Sequence, residues 1–142
     1  MSVMKNKLLL SFGGDMLLTF EELIKHAEGA FNPRQIAENA WAGSVAAALL
    51  SEKGNVYAGV CIDVCSGMGF CAEHAAIAAM ITAGESRILK IVAVNKNGVI
   101  PPCGRCREFI NQINDGNKET EVMVSKDKIV KLKDLLPFNW DD

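Results

Sequence analysis

The segment 71–84 reads CAEHAAIAAMITAG, and a second segment, 101–107, reads PPCGRCR. The first segment is rich in alanine, the best helix former, and it reaches Gly84, a typical residue at the end of a helix. The second segment predicts the start of another helix, which would run to about Asn114. Between the two lies the apolar run 89–94, which is typical of a central strand covered on both faces. The middle of the chain therefore predicts two helices packed on one sheet.

The flanking sequence supplies the remaining elements. Thr19 followed by Glu22 is a capping-box pattern and predicts a helix that begins at residue 20. The turn residues at 52–55 separate two apolar runs and predict a hairpin. The further predicted elements are a short helix over 34–41, hairpin strands over 44–51 and 56–62, short strands over 121–124 and 129–132, and a final turn over 133–136.

This order of elements predicts an α/β fold. We expect a three-layer α/β/α sandwich around a mixed, mostly five-stranded sheet, with an antiparallel hairpin and parallel later strands. The chain has 142 residues, and a second core would need roughly 100 more. We therefore expect residues 1–18 to form an N-terminal extension, either a tail or an edge strand, and residues 19–142 to form a single domain.

Composition and charge exclude several classes of protein. A hydrophobic content of 49% is too high for global disorder. The apolar runs fall short of the ~20 residues that a bilayer-spanning helix needs, so no membrane partner is expected. The net charge of −2 and the lack of a basic block argue against a nucleic-acid partner. Residues 8–10 are too short for a signal peptide, and the odd number of cysteines, five, argues against a disulfide framework, so we expect a cytoplasmic protein.

Three cysteines lie at predicted helix starts. Cys103 and Cys106 are three residues apart and face the same side of one helix, and Cys71 begins the other. A helix N-terminus favours the thiolate, the form that binds metal. If the two helices lie side by side, three ligands and an open fourth position make a catalytic zinc site. Glu73 could then reach the open position and move a proton without being a ligand.

Other interpretations of these residues remain open at this point. A Cys-x-x-Cys pair can be a redox pair, and a buried cysteine is often only a small apolar residue. A structural zinc site with an idle Glu73 is a further alternative. Copper and iron also bind sulfur, although three thiolates with an open position favour zinc.

The sequence Cys71-Ala72-Glu73, followed by Pro102-Cys103-Gly104-Arg105-Cys106-Arg107, resembles the zinc signature of the cytidine deaminase superfamily. The version with three cysteines is similar to the small homotetrameric cytidine deaminases and to blasticidin-S deaminase, over about residues 20–140. The resemblance implies one zinc per chain, held by the three cysteines, and a homotetramer. It also implies hydrolytic deamination of an aminopyrimidine nucleoside, a small molecule, with Glu73 passing protons to N3 and to the departing amine.

The resemblance implies roles for further residues near the metal. Backbone groups at Ala72 and Pro101 would orient the amino group of the substrate. Arg107 matches a family arginine and could tune the charge of the thiolates. His74 stands where the cytidine enzymes usually carry an arginine, and it could share this charge-tuning role only in its protonated form.

Substrate recognition departs from the family pattern. Relatives carry an Asn-x-Glu segment on the second hairpin strand, where the two side chains hold the ribose. Here Cys61 and Asp63 take those places, and aspartate has a shorter reach than glutamate. The resemblance also implies that the aromatic tail residues Phe138 and Trp140 cover the base in an adjacent subunit.

Four functions are consistent with this pattern to different degrees. The first is deamination of cytidine or deoxycytidine. The altered ribose motif leaves open a modified cytosine nucleoside such as blasticidin S. A non-catalytic, zinc-stabilised nucleoside-binding protein would have no need of Glu73. A deaminase that edits nucleic acid is disfavoured by the near-neutral charge and the single tyrosine.

Overall fold

The structure is a computed structural model that describes residues 3–4 and 18–141. The helices of this part of the chain are α1 (Phe20–Ala30), α2 (Ala72–Thr82), α3 (Gly104–Gln112) and α4 (Leu132–Leu135). Its strands are β1 (Val3–Met4), β2 (Arg34–Ala37), β3 (Ala40–Ser51), β4 (Val56–Val64), β5 (Ile88–Asn95), β6 (Gly98–Ile100), β7 (Glu121–Ser125) and β8 (Lys128–Lys131). Short 3₁₀ turns lie at Cys65–Gly67 and Asp115–Glu119. None of the helices described in these ranges is long and apolar enough to cross a membrane.

The strands form one mixed sheet in the order β1-β4-β3-β5-β7-β8, with β2 added to β3 and β6 added to β5. The β3–β4 hairpin is antiparallel and the β5–β7 pair is parallel, as predicted. The described residues form eight strands instead of the five expected, because the short strands β1, β2 and β6 extend the sheet.

The predicted N-terminal extension contributes to the sheet edge. Its residues Val3 and Met4 pair antiparallel with Tyr57 and Val56 of β4. Leu18, the last residue of the predicted extension, is buried in the core that includes α1. Residues 1–2 and 5–17 lie outside the described residues.

The prediction of a short helix over 34–41 is wrong. This segment is a β-hairpin in which β2 pairs antiparallel with the start of β3, and Ala37 stands opposite Ala40. The side-chain amide of Gln35 donates a hydrogen bond of 3.0 Å to the carbonyl oxygen of Glu38, which stabilises the turn. All four side chains of β2 are exposed, so neither face of this strand packs on the core. The sequence therefore lacks the alternation of apolar and polar residues by which a half-buried strand is predicted.

Apolar core residues lie on both faces of the sheet, and β3 contributes to each side. Ala46, Ala48 and Leu50 pack in the core that includes α1. Leu49 packs in the other core, with residues of α2 and α3 such as Ile77 and Ile110. This alternation follows the two-residue period of a strand and confirms the three-layer arrangement.

Helix α2 lies unusually close to β4. A Cβ atom placed on Gly59 of β4 would fall 2.5 Å from the Cβ atom of Ala75 and 2.6 Å from the backbone nitrogen of Ala76. Only glycine permits this approach, because real Cβ atoms do not come so near. The contact fixes the first turn of α2, and with it Cys71 and Glu73, against the sheet.

Candidate active site

The three predicted metal ligands meet where α2 and α3 begin. Cys71 is the N-cap residue of α2, Cys103 is the N-cap residue of α3, and Cys106 lies in the first turn of α3. Their sulfur atoms all lie within 4.8 Å of one another. The Sγ atoms of Cys71 and Cys103 are 3.5 Å apart. Two helix N-termini therefore direct their thiols to one point.

The chemistry of this donor set fits zinc. Burial is the main cause that raises the pKa of the Cys106 thiol, and the negative charge of the nearby Glu73 carboxylate is the second. Burial also raises the pKa of Cys71. At Cys103 burial acts in the same direction, but hydrogen bonds from the backbone of Cys106 and from neighbouring thiols outweigh it and lower the pKa. Three such close thiols ionise together only around a cation, and thiolates are preferred ligands of zinc.

Glu73 lies beside the cluster, in the first turn of α2. It is only 4% exposed, and burial raises the pKa of its carboxyl group. A carboxyl group shifted in this direction is suited to take up and release a proton near neutral pH.

A cavity of about 410 Å³ opens in front of Glu73. Its volume is within the range of about 300–1,000 Å³ that is typical of small-molecule sites. The lining residues come from the hairpin β3–β4, the loop before α2, and the starts of α2 and α3. They are Ser44, Val45, Cys61, Ile62, Asp63, Val64, Gly67, Gly69, Phe70, Cys71, Ala72, Glu73, Ile100, Pro101, Cys103 and Arg105.

A family model described as the cytidine and deoxycytidylate deaminase zinc-binding region matches residues 19–122. The chain belongs to this deaminase family. The family's enzymes are hydrolases that use zinc and act on C–N bonds, so zinc is the cofactor of this deaminase.

Individual relatives agree with this assignment. A cytidine deaminase of Mycobacterium tuberculosis is 35% identical over 103 residues, which cover 70% of this chain and 75% of that protein. A probable cytidine deaminase of Dictyostelium discoideum is 33% identical over 99 residues, or 67% of each chain. The crystal structure of cytidine deaminase from M. tuberculosis superposes with a TM-score of 0.73 at 28% identity, over 87% of this chain and 98% of that one.

The structure places the predicted substrate-binding residues of the deaminase in two groups. Cys61, Asp63, Ala72 and Pro101 line the cavity. Phe138 and Trp140 do not line it, and their side chains are 97% and 81% exposed.

The two predicted charge-tuning residues occupy different positions. Arg107 lies outside the cavity lining, where its Nε donates to the carbonyl of Pro102 at 2.9 Å and an Nη donates to the carbonyl of Leu135 at 3.3 Å. It therefore ties the metal-ligand loop to the end of α4. The Nδ1 atom of His74 is 3.3 Å from the Sγ atom of Cys106. Its ring stacks on Phe109, with centroids 4.5 Å apart and planes 10° from parallel.

Of the lining residues that sequence reasoning missed, Ser44 and Arg105 have polar side chains. Arg105 could have been found, because it stands between two ligand cysteines on the first turn of α3. Ser44 could not, because a bulge that depends on the pairing of β3 with β4 brings it to the cavity.

Proposed function

We propose that this chain deaminates a 4-aminopyrimidine nucleoside, such as cytidine or 2′-deoxycytidine, to the uridine analogue and ammonia. The observation that carries the proposal is the convergence of three thiols beside a buried glutamate at a nucleoside-sized cavity. Relatives named cytidine deaminase support it. Residues 19–142 would form the catalytic domain.

The residues divide the chemistry among them. Cys71, Cys103 and Cys106 would hold zinc, which when bound supplies Lewis-acid chemistry that makes a water molecule nucleophilic at neutral pH. The Glu73 carboxylate accepts a proton from the attacking water as its oxygen bonds to C4. Glu73 passes this proton to N3, takes a second proton from the new hydroxyl group on C4, and delivers it to the amino group. The C4–N bond then breaks to release ammonia while the C4=O bond of the product forms. Backbone groups of Ala72 and Pro101 would orient the amino group before it leaves.

A modified cytosine nucleoside with an anionic group is a second candidate substrate. Arg105 lines the cavity, and within the described part of the chain its guanidinium forms no hydrogen bond or ion pair. A free guanidinium favours a ligand that carries a carboxylate or a phosphate. Blasticidin S, the modified nucleoside considered from the sequence, therefore belongs in the substrate test.

The test is ammonia release from cytidine, 2′-deoxycytidine, cytosine and blasticidin S. We expect turnover of at least one nucleoside. No turnover of any of them would leave the non-catalytic nucleoside-binding protein and the deaminase that acts on nucleic acid. Elemental analysis of the same protein should give one zinc per chain. The Cys103→Ser variant should lose most of it, and equal zinc in both proteins would contradict the ligand assignment.

A further inference from the structure

Strand β3 carries a bulge at the edge of the cavity. Ala42 pairs with Ile62 and Ala46 pairs with Val60, so three residues of β3 face the single residue Cys61 of β4. The bulge includes Gly43, whose φ is +82°, and a Cβ atom there would lie 2.0 Å from the carbonyl oxygen of Asn32. Glycine is therefore required at this position. The bulge turns the next two residues toward β4 and the cavity.

The Cys61 sulfur joins the bulge to the end of β4. It accepts a hydrogen bond from the backbone nitrogen of Val45 at 3.3 Å, and it lies 3.3 Å from the Ser44 hydroxyl. It donates to a carboxylate oxygen of Asp63 at 3.8 Å. Cys61 is 6% exposed, and a thiol is a weak donor with a single hydrogen. These contacts within the protein therefore occupy the hydrogen-bonding capacity of the Cys61 thiol.

Ser44 and Asp63 have the opposite character. Both side chains are exposed, both line the cavity, and both contact the same sulfur atom, so their oxygens lie at the same end of the cavity. A carboxylate accepts a hydroxyl hydrogen in a charge-assisted bond, and a serine hydroxyl can donate or accept beside it. This pair is complementary to a hydroxyl group of a ligand.

We propose that Ser44 and Asp63 together bind a hydroxyl group of the substrate's sugar, and that Cys61 is a positioning residue that holds both in place. The inference rests on the proposed nucleoside deamination. It adds Ser44 as a specificity-determining residue and assigns Cys61 no direct contact with the substrate. The substrate class is then a nucleoside with a hydroxyl-bearing sugar ring, selected over one whose ring lacks hydroxyl groups.

The test compares cytidine with 2′,3′-dideoxycytidine, which lacks the ring hydroxyls. Ser44→Ala should lower kcat/KM for cytidine about 3–10-fold through KM, because a neutral hydrogen bond is lost. Asp63→Asn should lower it about tenfold or more, because the lost bond is charged. Cys61→Ala should lower kcat/KM for cytidine more than for dideoxycytidine, because the loss of the sulfur releases Ser44 and Asp63 from their positions. Cys65→Ala is the matched control, since Cys65 lies next in the loop and outside the cavity lining.

Zinc content and melting temperature establish that each variant is folded and loaded. Equal losses of kcat/KM for the two nucleosides in Ser44→Ala and Cys61→Ala, or no loss for either, would overturn the inference. If wild-type protein releases ammonia from neither nucleoside, the proposed function fails, and equilibrium binding decides the inference instead. Cytidine should then bind Ser44→Ala more weakly than wild type while dideoxycytidine binds both equally, and any other pattern contradicts the hydroxyl site.

Discussion

Glu73 and Glu85 are two buried glutamates near opposite ends of α2, and they allow a matched test of catalysis. Glu73→Gln should retain zinc and fold but lose turnover, because an amide cannot carry the proton. Positioned acid–base catalysis contributes about 10²–10⁴-fold, so kcat should fall by at least that range. Glu85 instead accepts hydrogen bonds from Tyr57 and Asn55. Glu85→Gln should lower the melting temperature with little change in kcat, and a Glu73→Gln variant within threefold of wild-type kcat would exclude the proposed role.

The contact of His74 with Cys106 predicts an effect on metal affinity. When Cys106 holds zinc as a thiolate, its sulfur offers only lone pairs, so Nδ1 of His74 would carry the hydrogen and donate it across the 3.3 Å contact. Stacking on Phe109 holds the ring in that orientation. Loss of such a partner typically weakens metal binding by about 10–100-fold. His74→Leu should show this loss in a chelator competition assay, whereas His74→Asn, which retains an N–H donor, should show less. Equal zinc affinity in all three proteins would assign His74 a packing role only.

At the scale of secondary-structure elements, the sequence predicted the features that depend on contacts between residues close together in the chain. The Thr19 cap is present, with its hydroxyl accepting from the backbone nitrogen of Glu22 at 3.2 Å. Gly84 has the expected positive φ, +94°. The starts of α2 and α3 followed from short motifs, and so did the convergence of the three thiols. The β2 strand and the bulge at Ser44 were not predictable, because each depends on pairing with a distant strand rather than on its own residues.

The packing of α2 on β4 gives a prediction at the same scale. Gly59→Ala forces the first turn of α2 away from the sheet, and overpacking of this kind costs about 1–3 kcal/mol. Because that turn carries Cys71 and Glu73, zinc affinity should fall together with the free energy of unfolding. Gly29→Ala is the control: Gly29 lies in α1 with nothing near its Cβ position, so alanine should stabilise the protein by about 0.5–1 kcal/mol. Denaturant titration and chelator competition measure both effects, and unchanged zinc affinity in Gly59→Ala would show that α2 does not control the metal site.

For the whole molecule, several apolar side chains remain exposed around the cavity. Trp41 pairs with Asp63 across the hairpin and is 46% exposed, and Phe70 lines the cavity and is 38% exposed. The C-terminal tail presents two more aromatic side chains, Phe138 and Trp140, which do not pack on the core of their own chain. Exposed apolar surface of this kind marks an interaction site. It supports the expected homotetramer, in which the tail of one chain would cover the cavity of another.

The tail gives the last prediction, because hydrogen bonds from its backbone and to its Asp141 side chain anchor it, while its aromatic side chains are exposed. The backbone nitrogen of Trp140 donates to Glu108 at 2.9 Å, and Asn111 donates to Asp141 at 2.8 Å. Both bonds survive in the double variant Phe138→Ser/Trp140→Ser, which removes only the rings. Light scattering of wild type should give four times the chain mass of 15.4 kDa. The tetramer of the double variant should dissociate at protein concentrations about tenfold or more above those at which the wild-type tetramer dissociates, since buried aromatics contribute strongly to interfaces. The KM of the double variant should also rise.

Ile129→Ser, at an exposed apolar position on β8, is the control and should change neither the assembly nor the KM. A wild-type monomer would contradict the tetramer, and a fully active tetrameric variant would leave the aromatic pair without a part in either assembly or substrate binding.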